Sequence, residues 1–454
     1  MIKNESAISS EFIEKLMSII KENYSVAPLL FENHNVKRGL RNSDGTGVVA
    51  GLTTICNVHG YLINEGERMP IDGELTYRGI NVKKLVEGCK QDNRFGFEET
   101  AYLLLFGILP TKSSLEEFTD ILSLSRHLPF GFTEDVILKA PSSDIMNSLS
   151  RSVLAMYTYD NAPENMSVQN LLTQSIELIA RFPAMAVTAY QVKKRFYDNE
   201  SMYFHFPQGN LSTAENFLYT MRNDNKFTDE EAKLLDLSLL LHMEHGGGNN
   251  SAFTARVLSS SGTDTYSAIS GAIGSLKGPK HGGANAKVTQ MFEHIKANVN
   301  DWSNDDEIAY YLEKLIRKKA GDRTGLIYGM GHAIYTMSDP RAVILKKNAR
   351  ALAEKKGMLK EFLLIDAVER LTPSIFNEVK KDSKVISANV DLYSGLVYSM
   401  LGIPCELFTP LFAIARIVGW CAHRIEEVIA GGRIIRPAYK SVAEQVEYLP
   451  LENR

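Results

Sequence analysis

The stretch LFAIARIVGWCAHRIEEVI, residues 411–429, decides the fold. It is apolar on most sides of a helix, the pattern of a helix enclosed by protein. LDLSLLLHM, residues 235–243, has the same character. Helices buried on most faces need other helices packed around them, so an all-α architecture is expected. The longer run LFTPLFAIARIVGWCAH is the nearest approach to a membrane span, but Arg416 stands in its middle. No run reaches the roughly 18 uninterrupted apolar residues a span needs, so no membrane segment is expected.

Working outward, Ile13, Leu16, Met17 and Ile20 follow the spacing of an amphipathic helix. Ile308, Tyr311, Leu312, Leu315 and Ile316 do so again, with Gly321 as the expected left-handed stop. A further helix is expected from Asp339 to about Lys356, with Asp339 as N-cap, Pro340 in the first turn and Gly357 after the end. Strand signals are sparse. Residues 47–80 carry the glycines, proline and β-branched residues of one small hairpin. No βαβ rhythm, internal repeat or low-complexity segment is present.

The chain has 454 residues, 44% hydrophobic and 23% charged, enough to bury a sizeable core. Fifty basic against 54 acidic residues leave a net charge of −4. That balance argues against a general nucleic-acid-binding surface. Cys56, Cys89, Cys405 and Cys421 are too few and too scattered for a disulfide framework or a paired zinc site. Reduced thiols in a cytoplasmic setting are expected, and the N-terminus has no apolar run of signal-peptide type.

Four segments set His, Arg or Asp among glycines or at helix starts: LHMEHGGGNNS (241–251), GPKHGGAN (278–285), GMGHAIYTMSDPR (329–341) and SANVDLYSG (387–395). His281 precedes a helix start, where the dipole disfavours imidazolium. It is either a loop and capping residue or a neutral hydrogen-bond donor to a carbonyl. His332 lies in a Gly-x-Gly-His turn, which is either a plain turn or a place where backbone approaches a ligand. Arg341 opposes the dipole of its helix unless it binds an anion. Asp391 is either an N-cap or a general base. His242 and His245, three apart at a helix end, can face one way, and a metal site with His281 is a rival reading, though no H-E-x-x-H motif is present. Arg416 in its apolar run requires a buried carboxylate, from protein or substrate. Arg436, in RIIRPAY, is either a surface arginine or a further anion contact.

Taken in order, LHMEH-GGG-NNS, SLKGPKHGGAN, YGMGHAIYTMSDPR, ANVDLYSG, FTPLFAIAR and RIIRP resemble the Si-type citrate synthases of bacteria, over residues 40–440. The resemblance implies a two-domain helical subunit. Residues 1–280 and 395–454 would form a large domain and 281–394 a smaller inserted one. It implies a homodimer acting on oxaloacetate and acetyl-CoA, with CoA as co-substrate and no tightly bound cofactor or metal. His281, His332 and Asp391 match the catalytic positions. Asp391 would take a proton from the acetyl methyl group, His281 would hydrogen-bond the thioester oxygen, and His332 would protonate the oxaloacetate carbonyl. His245, Arg341, Arg416 and Arg436 match the oxaloacetate ligands, with Arg436 supplied by the neighbouring subunit. Leu326, Ile327, Tyr328, Gly329, Met330 and Gly331 match the loop that meets the adenine of CoA.

Two departures stand out. Thr336 and Met337 occupy the stretch where members of the family often place a cation for CoA phosphate, leaving Lys277, Lys280, Lys346 or Lys347 as substitutes. EHGGGNN stands where many have Asp-His-Glu. Two rivals share the sequence signals: 2-methylcitrate synthase, which takes propionyl-CoA, and a CoA- or metabolite-binding protein without turnover. One methylene separates the two acyl groups, worth about 1–3 kcal/mol in a pocket.

Overall fold

The computed structural model describes residues 9–24, 26–42, 44–65, 67–381 and 385–454, so the first eight residues of the expected large domain lie outside the described ones. The chain divides into two compact units, Met1–Leu52 and Thr53–Arg454.

The first unit holds the expected N-terminal helix, Ser10–Asn23, capped by Ser9, whose hydroxyl accepts from Phe12 N at 3.2 Å. Its apolar stripe of Phe12, Ile13, Met17 and Ile20 is exposed. A short helix, Pro28–Asn33, starts on its proline.

The second unit is organised around the helix Phe408–Ile429. Every residue from Pro410 to Ile425 is buried, in keeping with a sequence apolar on most sides. The helices Val168–Lys193, Asn250–Ser260, Thr265–Lys277, Phe97–Phe106 and Asp229–His242 pack against it. The helix is long and apolar enough to cross a membrane, but its most apolar window is 83% buried in protein, so the composition is that of a core. Trp420 at its centre is fully buried, and truncating such a side chain to alanine costs about 3–5 kcal/mol.

A second group of helices carries the rest of the site. Asp305–Ile316 packs on Leu359–Lys380, and both Ala284–Asn298 and Pro340–Lys355 pack on Asp391–Met400. The Pro340–Lys355 helix starts and stops where the sequence indicates: Asp339 accepts from Arg341 N and Gly357 comes after its end at φ 72°. The Asp305–Ile316 helix does not run on to Gly321. It closes at Arg317, and Lys318 takes the left-handed conformation at φ 62°. Lys318 N satisfies Leu315 O at 3.0 Å, so the helix has its stop before the glycine is reached.

The expected hairpin is present: β1 (Cys56–Asn64) pairs antiparallel with β2 (Glu67–Tyr77), and β3 (Ile80–Asn81) adds two residues. The register runs from Cys56↔Tyr77 to Asn64↔Glu67 and shifts between His59 and Tyr61. Among the described residues this is the only sheet.

Candidate active site

Most of the predicted groups sit at a helix end or in a loop, and Arg416 sits inside the helix Phe408–Ile429. The helix Asp229–His242 begins with a capping box of Thr228 and Glu231 and stops at His242, so His245 lies beyond it. The two histidines therefore do not share a helix face. His242 Nδ1 meets Ser238 O at 2.7 Å and its ring packs edge-on against Phe412 at 4.9 Å. Burial holds His242 down to about 3. His245 instead reaches Tyr335, Nε2 to the hydroxyl at 3.2 Å, and its ring centroid lies 5.1 Å from that of His332. Burial, with Arg341 and His332 adding, keeps His245 well below the usual imidazole value.

His281 falls in the turn before the helix Ala284–Asn298, whose N-cap is Gly283. Its Nε2 lies 3.1 Å from Ser251 Oγ, which also receives Trp420 Nε1 at 3.0 Å and donates its own proton to Asn249 Oδ1 at 2.9 Å. Burial, with Arg416 adding, holds His281 down to about 4, so it is neutral at physiological pH.

His332 Nδ1 accepts two backbone N–H groups, from Ile334 at 3.0 Å and Tyr335 at 3.1 Å. A nitrogen that accepts twice carries no proton, so the neutral ring is assigned its proton at Nε2.

Arg341 lies in the first turn of its helix, against the dipole, and Asp339 compensates: Asp339 Oδ2 also accepts Val390 N at 3.2 Å. Burial works against the Asp339 charge, yet Arg341 outweighs it and the carboxyl sits below its usual value. Asp391 is not an N-cap. Val390 holds that position, and Asp391 is the first residue of the helix Asp391–Met400. Its Oδ1 is buried with no hydrogen-bond partner among the described residues. Burial pushes the Asp391 carboxyl up to about 6, with Arg341 and Arg416 pulling the other way.

Arg416 is fully buried and stacks 4.7 Å over Phe412, with Nε donating to His242 O at 2.8 Å. Both terminal nitrogens lack partners among the described residues. The carboxylate that offsets its charge is Glu244, which lies 3.0 Å from His423 Nε2. His423 Nδ1 in turn accepts from Arg256 Nε at 3.1 Å, so its ring proton is assigned to Nε2, the nitrogen nearer Glu244. The Arg416 and Arg341 charges both reach His245 and Asp391, and Arg416 also reaches His281, so five of the predicted groups share one electrostatic site.

Arg436 is not drawn into this cluster: it lies in the segment after Phe408–Ile429 and is exposed. The loop 326–331 is anchored by Gly331 N to Ser387 O at 2.7 Å and by Asn389 N to Gly329 O at 2.9 Å. Tyr328 donates its hydroxyl to Asp322 Oδ2 at 2.6 Å, and Leu326 is exposed. Of the lysines named as substitutes, Lys277 is paired with Asp144 at 2.6 Å and Lys346 with Asp366 and with Glu369 at 2.7 Å, while Lys280 and Lys347 are exposed. The loop after His245 leads into Asn249, which caps the helix Asn250–Ser260. Among the described residues no group of three His, Cys, Asp or Glu side chains is arranged to hold a metal ion.

Sequence reasoning missed Tyr335, Ser251 and the cluster of Glu244, His423 and Arg256. It took Asp339 only as a cap. Signals existed for two of them: Asp339 stands beside an arginine in a first turn, and Glu244 stands beside His245.

A helical fold that gathers a buried carboxyl, neutral imidazoles and two buried guanidinium groups suits chemistry at a carbonyl of an anionic substrate. The family model described as "Citrate synthase, C-terminal domain" matches residues 42–438. The chain is 32% identical to a citrate synthase of Synechocystis, over 94% of this chain and 96% of that one. It is 34% identical to 2-methylcitrate synthase 1 of Corynebacterium glutamicum, over 92% and 98%. Its structure matches that of a citrate synthase from Thermoplasma acidophilum in ternary complex with carboxymethyl coenzyme A and oxaloacetate, with a TM-score of 0.74, 28% identity and coverage of 92% and 99%. The protein is thus an enzyme of the transferase class that acts by acyl transfer and condensation. The chain belongs to the citrate synthase family.

Proposed function

We propose that the chain condenses acetyl-CoA with oxaloacetate and hydrolyses the resulting citryl-CoA to citrate and CoA. The observation that carries this is a half-buried carboxylate, Asp391, whose Oδ1 is enclosed without a partner among the described residues, and a neutral His281, both under the Arg416 charge. A methyl group beside a thioester gives up its proton only when a base and an oxygen-side donor act together. Asp391 takes the proton and His281 donates a hydrogen bond to the thioester oxygen. The enol carbon attacks the oxaloacetate carbonyl, and His332 delivers its Nε2 proton to the developing alkoxide. Water then cleaves the thioester and CoA leaves as the thiol.

Arg416, whose two terminal nitrogens have no partner among the described residues, Arg341 and His245 hold the oxaloacetate carboxylates, and Arg436 of a second copy completes the set. The homodimer is supported by the segment after residue 430. It is extended and exposed, and carries Ile434, Tyr439, Val446, Tyr448 and Leu451 into solvent. Leu326, Ile327, Tyr328, Gly329, Met330 and Gly331 meet the adenine, and Lys280, beside His281, takes the phosphate contact that Thr336 and Met337 do not offer. CoA enters as co-substrate, and no tightly bound cofactor is needed. Residues 281–394 form the smaller domain and 1–280 with 395–454 the larger. The cysteines, all free, suit a reducing compartment, the cytoplasm.

Propionyl-CoA is the competing acyl donor, favoured by the 34% identity to a 2-methylcitrate synthase. Oxaloacetate-dependent CoA release, measured with acetyl-CoA and propionyl-CoA side by side, tests the assignment. Faster turnover of acetyl-CoA supports it; preference for propionyl-CoA moves it to 2-methylcitrate; release from neither rejects it.

A further inference from the structure

Residues 331–337 carry His332 without a helix or strand of their own. A catalytic group has to be held within about 0.5 Å of its working place, so its neighbours must supply the rigidity. On one side Asn389 Nδ2 donates to Gly331 O at 3.0 Å, joining the backbone bonds from Gly331 and Asn389. Those contacts fix the chain on the N-terminal side of His332 only. On the C-terminal side the hairpin takes over. Thr336 Oγ1 donates to Gly60 O at 2.7 Å. Ser338 Oγ donates to Asp72 Oδ1 at 3.0 Å and accepts from Gly73 N at 3.2 Å, and Asp72 and Ser338 form a parallel bridge.

The approach leaves no room for side chains. A Cβ on Gly60 would stand 2.8 Å from both Ile334 O and Tyr335 Cα. On Gly73 it would meet Tyr335 Cδ1 at 2.6 Å and run into the Ser338 carbonyl. The β1 register shifts at Gly60, between His59 and Tyr61, which bends the strand where it touches the loop.

We propose that the β1–β2 hairpin is a clamp that positions His332, gripping Thr336 and Ser338 through Gly60, Asp72 and Gly73. The proposal rests on His332 being the group that serves the oxaloacetate carbonyl. The hairpin lies on the backbone of Ile334 and Tyr335, whose N–H groups hold His332 Nδ1. Displacing that backbone frees Nδ1, and the ring loses both its orientation and its preferred tautomer. The clamp also explains Thr336: its hydroxyl is turned to the hairpin, where a cation for CoA phosphate would point away.

Steady-state kinetics and thermal unfolding of Thr336→Val, Thr336→Ser and Gly60→Ala, with His332→Gln as reference, test this. Thr336→Val and Gly60→Ala are expected to lower kcat ten- to hundredfold, the scale of a small misplacement of a reacting group. KM for acetyl-CoA should stay within about twofold and melting within a few degrees, because the loss is of alignment rather than of binding. Thr336→Ser, which keeps the hydroxyl, should recover most of the turnover. Unchanged kcat in Thr336→Val overturns the clamp. So does a rise in KM for acetyl-CoA, which assigns Thr336 to the CoA site, or a kcat loss that serine does not repair. Full activity in His332→Gln overturns the role of His332 itself, independently of the hairpin.

Discussion

Arg341 closes two hydrogen bonds on Asp339, Nε to Oδ1 at 3.0 Å and Nη2 to Oδ2 at 2.7 Å, with both side chains buried. The aspartate that caps the helix thus also neutralises the arginine that would otherwise oppose its dipole. Asp339→Ala removes both functions and leaves a guanidinium buried without its partner. Urea unfolding should show a loss of about 3–5 kcal/mol. A change below about 1 kcal/mol would mean that Arg341 finds water or another acceptor, and that the pair does not hold the site together.

Asp391→Asn separates chemistry from stability. General-base catalysis is commonly worth 10²–10⁴-fold, so turnover should fall by about a hundredfold or more while oxaloacetate still binds. Stability should move the other way. The folded carboxyl is raised to about 6 against a usual 3.8, so the fold favours its neutral form. That preference stabilises the protein below about pH 4 and is lost as pH rises through 6. At pH 7.5 the wild type carries a buried charge that the amide does not, on the order of 1–3 kcal/mol. The variant should therefore melt higher at pH 7.5, with the gap closing near pH 4. Equal melting at both values would show that Asp391 is solvated when ionised.

The same carboxyl sets the acid limb of activity. Free-enzyme kcat/KM should fall below about pH 6 as Asp391 takes up a proton. His281, held down to about 4, stays neutral across that range and adds no second limb there. A limb that persists unshifted in the residual activity of Asp391→Asn would assign it to another group.

Ser251→Ala removes the hydroxyl between Trp420 and His281. It leaves the indole N–H buried without a partner, worth about 1–3 kcal/mol. It also removes the partner that holds the His281 ring in place, so kcat should drop ten- to hundredfold with little change in either KM. A pure KM effect would place Ser251 in binding rather than in orienting His281.

A chain ending at residue 432 lacks Arg436 and the exposed apolar segment beyond it. Sedimentation should show a weakened or lost dimer, and turnover should be abolished. A truncated chain that remains dimeric and active would remove Arg436 from the site.

The helical core was legible because 411–429 is apolar on most faces, the pattern of a helix that protein encloses. Asp339–Pro340 and Gly357 marked a helix because capping chemistry is local. Gly321 misled because Lys318 took the left-handed turn first, a choice made by the neighbouring backbone. His242 misled because a spacing of three implies a shared face only while the helix continues, and it stops at His242. Ser251, Tyr335 and Asp72 were silent for another reason. They meet the site across separations of 30, 90 and 266 residues in their hydrogen bonds, and no local pattern encodes that.

The site is assembled from segments spread along the chain, from His245 to Arg416, while the hairpin that grips His332 comes from the chain's beginning. No single stretch of neighbouring residues contains the whole of it. Contacts closed over such long loops form late, and larger chains reach them through partly packed intermediates. On refolding from denaturant, helical signal should return first and catalysis last, in a separate and slower phase. A newly made chain would stay silent until its C-terminal core helix is docked, so that activity reports completion of the fold rather than its onset.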